Sequence, residues 1–315
     1  MNENWKGGFV LKMKLNGIYA AMLTPLTEEG GIDVSALKRM VDFYIEKNIT
    51  GLFAVSSVGE AAHFDVKEAQ TILETVKVAS AGKMQLFAGV TATTSSKAIE
   101  VGKIAEGLGY DGIVSAPPYF YQPSDDAILA YFEDINTHVD LPMIVYNVPL
   151  FAPALSKELL VSVAKLDKVI GVKESSGNLV DVLHILDMLE DEQLETSFLI
   201  GREEMYLSSL LAGADGCMVA TAGIVPEAYQ KIEELYLAGK INEAAQVQKA
   251  ILPLLRECFK VNFPAGFKIA LAARGLDTPV YVKRNLSEQE QQDLARSEET
   301  IKQEVARILT FVGNY

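Results

Sequence analysis

The chain has 315 residues, 49% hydrophobic and 22% charged, with 28 Lys and Arg against 42 Asp and Glu for a net charge of −14. That is ample apolar material for a large core, and the acidic balance without any basic cluster argues against nucleic acid and acidic membranes as partners. No apolar run reaches the roughly 18 residues of a membrane-spanning helix. The two cysteines, Cys217 and Cys258, are far apart and lack CxxC spacing, which fits a reducing, cytoplasmic setting and no disulfide framework. His63, His138 and His184 are scattered, so no metal site is expected.

Residues 1–16 carry lysines and a short apolar patch, Phe9-Val10-Leu11, too brief for a signal segment, and are expected to form an N-terminal extension. From there strand-like runs alternate with helical patterns. The predicted strands are 18–22, 51–55, 85–90, 112–116, 142–146, 169–173, 197–200 and 216–220. Amphipathic runs between them open on capping residues: Asp33, Asp65, Ser95, Ser124 and Ser156. Gly109 and Gly213 fall where helices should end.

Eight strand–helix units in about 230 residues is the count of a (β/α)8 TIM barrel. A doubly wound sheet would carry a Gly-rich phosphate loop after its first strand. Met22-Leu23-Thr24-Pro25-Leu26 stands there instead. The expected division is an extension at 1–16, the barrel at 17–225, and a barrel-closing helix with a C-terminal helical appendage at 226–315. Helical patterns there cover 226–238, 242–260, 264–274 and 287–311, the last long and charged enough to bend.

In a barrel the loops at the C-terminal strand ends meet around the active site. Val169-Ile170-Gly171-Val172-Lys173 is a β-branched strand ending in a lysine, and Ser175-Ser176-Gly177-Asn178 then breaks it. An amine at an apolar strand end is costly to keep charged and is thereby usable as a nucleophile. A surface lysine at a loop start is the other reading. One unit earlier, Met143-Ile144-Val145-Tyr146 ends in a phenol, which could shuttle protons for carbonyl chemistry or simply bond backbone at the rim.

Further loops should join them. Ser56-Ser57-Val58-Gly59-Glu60 offers hydroxyls and amides that suit a carboxylate. Pro117-Pro118-Tyr119-Phe120-Tyr121 offers an aromatic wall or subunit contact. Gly201-Arg202-Glu203-Glu204 offers acceptors for hydroxyls, or an ordinary helix start. Ala220-Thr221-Ala222-Gly223 leaves room in the mouth.

Ser56-Ser57-Val58-Gly59-Glu60, Tyr146-Asn147-Val148-Pro149 and Gly171-Val172-Lys173-Glu174-Ser175-Ser176-Gly177-Asn178 resemble the motifs of the dihydrodipicolinate synthase/N-acetylneuraminate lyase family, and the likeness runs from about residue 17 to 310. The resemblance implies a barrel with a C-terminal helical region, assembled as a homotetramer or homodimer. It also implies metal-free, class I chemistry with no cofactor beyond a covalent lysine imine. Lys173 would form a Schiff base with pyruvate or another 2-oxo acid, and Tyr146 would shuttle protons. Ser57, with amides near Val58 and Gly59, would hold the substrate carboxylate.

Departures bear on the partner aldehyde. Val58 replaces a second hydroxyl residue. Phe120 stands where the synthase has a relay tyrosine, leaving Tyr119 or Tyr121 as candidates to replace it. Phe151 stands where the synthase has an arginine. Glu203 and Glu204 match the lyase's acidic pair and Ser175 a lyase hydroxyl, while Ala220 replaces a lyase serine. The expected function is therefore a lyase or aldolase joining or separating pyruvate and an aldehyde, on a 2-oxo-3-deoxy sugar acid type of substrate. Alternatives are a dihydrodipicolinate synthase (4-hydroxy-tetrahydrodipicolinate synthase), a related dehydratase, or a non-catalytic 2-oxo-acid or carbohydrate binder.

Overall fold

The computed structural model describes residues 13–315, so the patch at 9–11 lies outside the described residues. Eight short strands form a closed, all-parallel barrel in sequence order: β1 Gly17–Ala21, β2 Gly51–Ala54, β3 Gln85–Gly89, β4 Gly112–Ser115, β5 Met143–Asn147, β6 Val169–Glu174, β7 Ser197–Ile200 and β8 Gly216–Val219. β8 returns to pair with β1. Closure there demands a glycine, since a Cβ on Gly216 would sit 2.1 Å from the Gly17 carbonyl oxygen.

The alternating helices are α1 Val34–Glu46, α2 Val66–Ser80, α3 Ser95–Gly107, α4 Asp125–His138, α5 Lys157–Ala164, α6 Leu179–Asp191, α7 Tyr206–Leu211 and α8 Pro226–Leu237. Their starts follow the capping chemistry. The Asp33, Ser124 and Ser156 side chains accept from first-turn amides, and Asp65 forms a capping box with Glu68. α3 differs by one residue: Thr94, not Ser95, occupies the cap, and its hydroxyl bonds Ser96 instead of the backbone.

The appendage comprises α9 Ile241–Lys260, α10 Ala265–Ala272 and α11 Glu288–Gly313. α11 runs 26 residues unbroken, because Ile301, Val305, Ile308 and Val312 bury one continuous stripe against the preceding helices. At the N-terminal end of the barrel Leu15 is fully buried. Its amide donates to Ser197 Oγ at 2.8 Å, so the last residues before β1 plug the barrel floor and do not trail away from it.

Candidate active site

Tyr146 on β5 and Lys173 on β6 are register partners, so both side chains project from the same face at adjacent strand ends. The Lys173 Nζ lies 4.1 Å from the Tyr146 ring centroid and 4.7 Å from that of Phe53 on β2. Tyr146 Oη is 3.5 Å from Ser57 Oγ. Lys173 is only 2% exposed, and among the described residues no carboxylate comes within ion-pairing distance of its amine. The second buried lysine, Lys268 on α10, is the opposite case. It pairs with Glu60 Oε1 at 2.6 Å and donates to the Tyr281 carbonyl. Burial pulls the Lys268 ammonium below its ordinary range and the Glu60 carboxylate opposes that. One buried lysine is neutralised by a partner. The other faces two aromatic rings and a cavity.

The loop after β2 is held in an unusual shape. Val55 has φ 54°, a left-handed conformation that a β-branched side chain rarely adopts. Gly89 makes room for it, since a Cβ there would lie 2.0 Å from the Val55 carbonyl oxygen. The following serines divide their labour. Ser56 Oγ donates to the Met22 carbonyl at 2.8 Å and accepts from the Gly59 amide at 3.1 Å. Ser56 and Gly59 therefore brace the loop, and neither is free for a substrate, contrary to the expectation from sequence. The Ser57 and Val58 amides have no hydrogen-bond partner among the described residues and remain to meet an anion.

Several expected residues converge on Lys173. Ser57, Val58, Ser175, Glu203, Ala220 and Phe151 line the same cavity of about 60 Å³. Ser175 Oγ is buried without a partner, directly above Gly201. Glu203 is 5% exposed and accepts from the Thr221 amide at 3.4 Å; burial pushes its carboxyl above the ordinary range. Besides Ser56 and Gly59, two more expected residues do not converge. Glu204 pairs with Arg202 at 3.1 Å and lines an outer cleft with Arg256 and Phe259, because the short 3-10 turn at Glu203–Met205 points adjacent carboxylates in different directions. Phe120 is 84% exposed with φ 84° and packs edge-on against Tyr121, outside the cavity walls.

Sequence reasoning missed Phe53, the Glu60–Lys268 pair, and a clasp at the ends of β5 and β6. In that clasp Glu174 accepts from Asn147 Nδ2 at 2.6 Å and from the Ser176 amide at 2.5 Å, and Asn147 Oδ1 accepts from the Leu155 amide. Burial raises the Glu174 carboxyl. Strand alternation carried a signal for Glu174: the residue after an inward lysine must point outward and find its own partner. The Lys173 cavity opens past Tyr146, Ser57, Val148, Phe151 and Phe263 into a larger chamber of about 260 Å³ that adds Phe53, Thr91, Tyr119 and Pro264.

The family model for the dihydrodipicolinate synthetase family matches residues 14–304. A 4-hydroxy-tetrahydrodipicolinate synthase of Methanosarcina barkeri is 30% identical over 261 residues, covering 82% of this chain and 88% of that protein. The 4-hydroxy-tetrahydrodipicolinate synthase structure from Methylacidiphilum fumariolicum has 27% identity and a TM-score of 0.84, covering 94% of this chain and 99% of that one. The sialic acid aldolase of Ruminococcus gnavus has 26% identity and a TM-score of 0.85, with the same coverage. On the match across nearly its whole length, this chain belongs to the dihydrodipicolinate synthetase family.

Proposed function

We propose that Lys173 attacks the keto carbon of pyruvate and forms an imine, releasing one water. The observation that carries this reading is the buried Lys173 amine, unpaired with any carboxylate among the described residues and set over the Tyr146 ring, with Ser57 in reach of Tyr146 Oη. The substrate carboxylate is held by the free amides of Ser57 and Val58 and by the Ser57 hydroxyl. The protonated imine draws electrons from the methyl carbon, which loses a proton and becomes an enamine. That carbon attacks an aldehyde, or in reverse is released from one. Tyr146 Oη delivers and recovers the proton on the aldehyde oxygen, relayed through Ser57. Ser175 and Glu203 border the same cavity and add a hydroxyl and a carboxyl to its polar side.

The likeness to the 4-hydroxy-tetrahydrodipicolinate synthase of Methanosarcina supports the synthase alternative over the sugar-acid lyase put first from the sequence. The aromatic loop carrying Tyr119–Tyr121 suits an interface of a homodimer or homotetramer, and the protein's setting is proposed as cytoplasmic. The test is pyruvate plus borohydride, followed by peptide mass spectrometry. A reduced adduct on Lys173, lost in Lys173→Ala, supports the mechanism. Turnover that survives Lys173→Ala sinks it. A folded protein that binds pyruvate without any adduct would mean a non-catalytic binder.

A further inference from the structure

We propose that the aldehyde partner is neutral, with an apolar body seated in the 260 Å³ chamber beside the imine. This rests on the imine reading above and names its second substrate, in place of the carboxylated aspartate semialdehyde that a 4-hydroxy-tetrahydrodipicolinate synthase takes.

The chamber walls carry the argument. Phe53, Val148, Phe151, Ala152, Phe263 and Pro264 give it an apolar surface. No lysine or arginine lines it among the described residues. Its one wall carboxylate, Glu60, is already committed to Lys268 at 2.6 Å and to the Lys283 amide at 2.7 Å. His63 also borders the chamber, but its Nδ1 sits 3.9 Å from Glu60 Oε2, so any positive charge there already faces an anion. An aldehyde carboxylate in this chamber would leave water and meet no free cation, since Arg202 of the adjoining Lys173 cavity is already paired with Glu204 at 3.1 Å, and that is the costly arrangement. A polyhydroxylated chain fares little better. Its hydroxyls would find Thr91, Tyr119 and His63 spread along a wall that is otherwise aromatic and aliphatic, and the cavity that holds Ser175 and Glu203 has room for little beyond the 2-oxo acid. A neutral aromatic or branched aliphatic aldehyde instead buries its body against Phe151 and Phe263, whose ring centroids are 5.4 Å apart, and keeps its carbonyl toward Tyr146.

The step balances as a simple addition. The enamine carbon bonds to the aldehyde carbon, and the aldehyde oxygen takes the Tyr146 proton. The water released on imine formation returns on hydrolysis, giving a 4-hydroxy-2-oxo acid and free Lys173.

The experiment uses the full chain and matched aldehydes: benzaldehyde against 4-carboxybenzaldehyde, and isovaleraldehyde against aspartate semialdehyde, each with pyruvate. Borohydride trapping is run in parallel. The expected result is a pyruvate adduct together with a kcat/KM for the neutral member of each pair at least about tenfold higher. Phe151→Arg should narrow or invert that preference, and Phe151→Leu should keep it. An adduct with equal or better use of the carboxylated aldehydes, or an adduct with no turnover of either neutral aldehyde, overturns the inference and leaves the imine reading standing. Absence of any adduct overturns both.

Discussion

Replacing Lys268 with methionine should unfold the protein more readily than any single change on its surface. Lys268 and Glu60 are both about 3% exposed at the side chain and join at 2.6 Å. Methionine fills most of the lysine stem but leaves the Glu60 carboxylate buried with the Lys283 amide as its one hydrogen-bond donor among the described residues and His63 Nδ1 3.9 Å away. Breaking one side of such a pair costs about 3–5 kcal/mol, whereas replacing both sides by neutral groups is close to harmless. The double variant Glu60→Gln with Lys268→Met should therefore recover most of the loss. Urea denaturation followed by fluorescence would read both, with a lower midpoint for the single variant at an unchanged slope. The defect should also reach the chemistry, because Glu60 closes the loop that carries Ser57 and Val58. Pyruvate trapping by the single variant should need more pyruvate than wild type even in conditions where it stays folded. A single variant within about 1 kcal/mol of wild type, or a double variant as unstable as the single, would refute the idea that this pair anchors the loop.

Other outcomes follow from the same geometry. Tyr146→Phe should retain pyruvate binding and lose about 10²–10⁴-fold in turnover, read by steady-state kinetics beside an adduct assay; full kcat would remove Tyr146 from the proton path. Gly201→Ala puts a Cβ about 2.0 Å from Ser175 Oγ and 2.9 Å from Lys173 Cε, so it should raise the pyruvate KM while circular dichroism stays native. Glu203→Gln tests a burial penalty. Burial raises the folded-state value of Glu203 above 4.5, so the native state binds more protons than the unfolded chain in the window above 4.5, and wild-type stability falls as pH rises through that window. The glutamine variant lacks this loss, so its stability relative to wild type should improve on going from pH 4 to neutrality, measured by denaturation at each pH. A difference that does not change with pH would mean Glu203 pays no such penalty.

The barrel and the convergence of Tyr146 with Lys173 were legible in the sequence because both depend on local order. β-branched runs place strands, Asp33, Asp65, Ser124 and Ser156 place helix starts, and consecutive parallel strands are neighbours. Two residues at successive strand ends, Tyr146 and Lys173, must then converge, and their register shows it. Tertiary structure decided which of two like neighbours faces the cavity. Ser57 turns in while Ser56 braces Met22, and Glu203 is buried while Glu204 meets Arg202. In each pair the adjacent residues have the same side chain, and only the φ of Val55 and the phase of a three-residue turn separate them. Glu60 and Lys268 stand 208 residues apart, and no spacing rule links a barrel loop to an appendage helix. What fixed that pair and the burial of Leu15 is packing between distant segments, and one-dimensional order carries no trace of it.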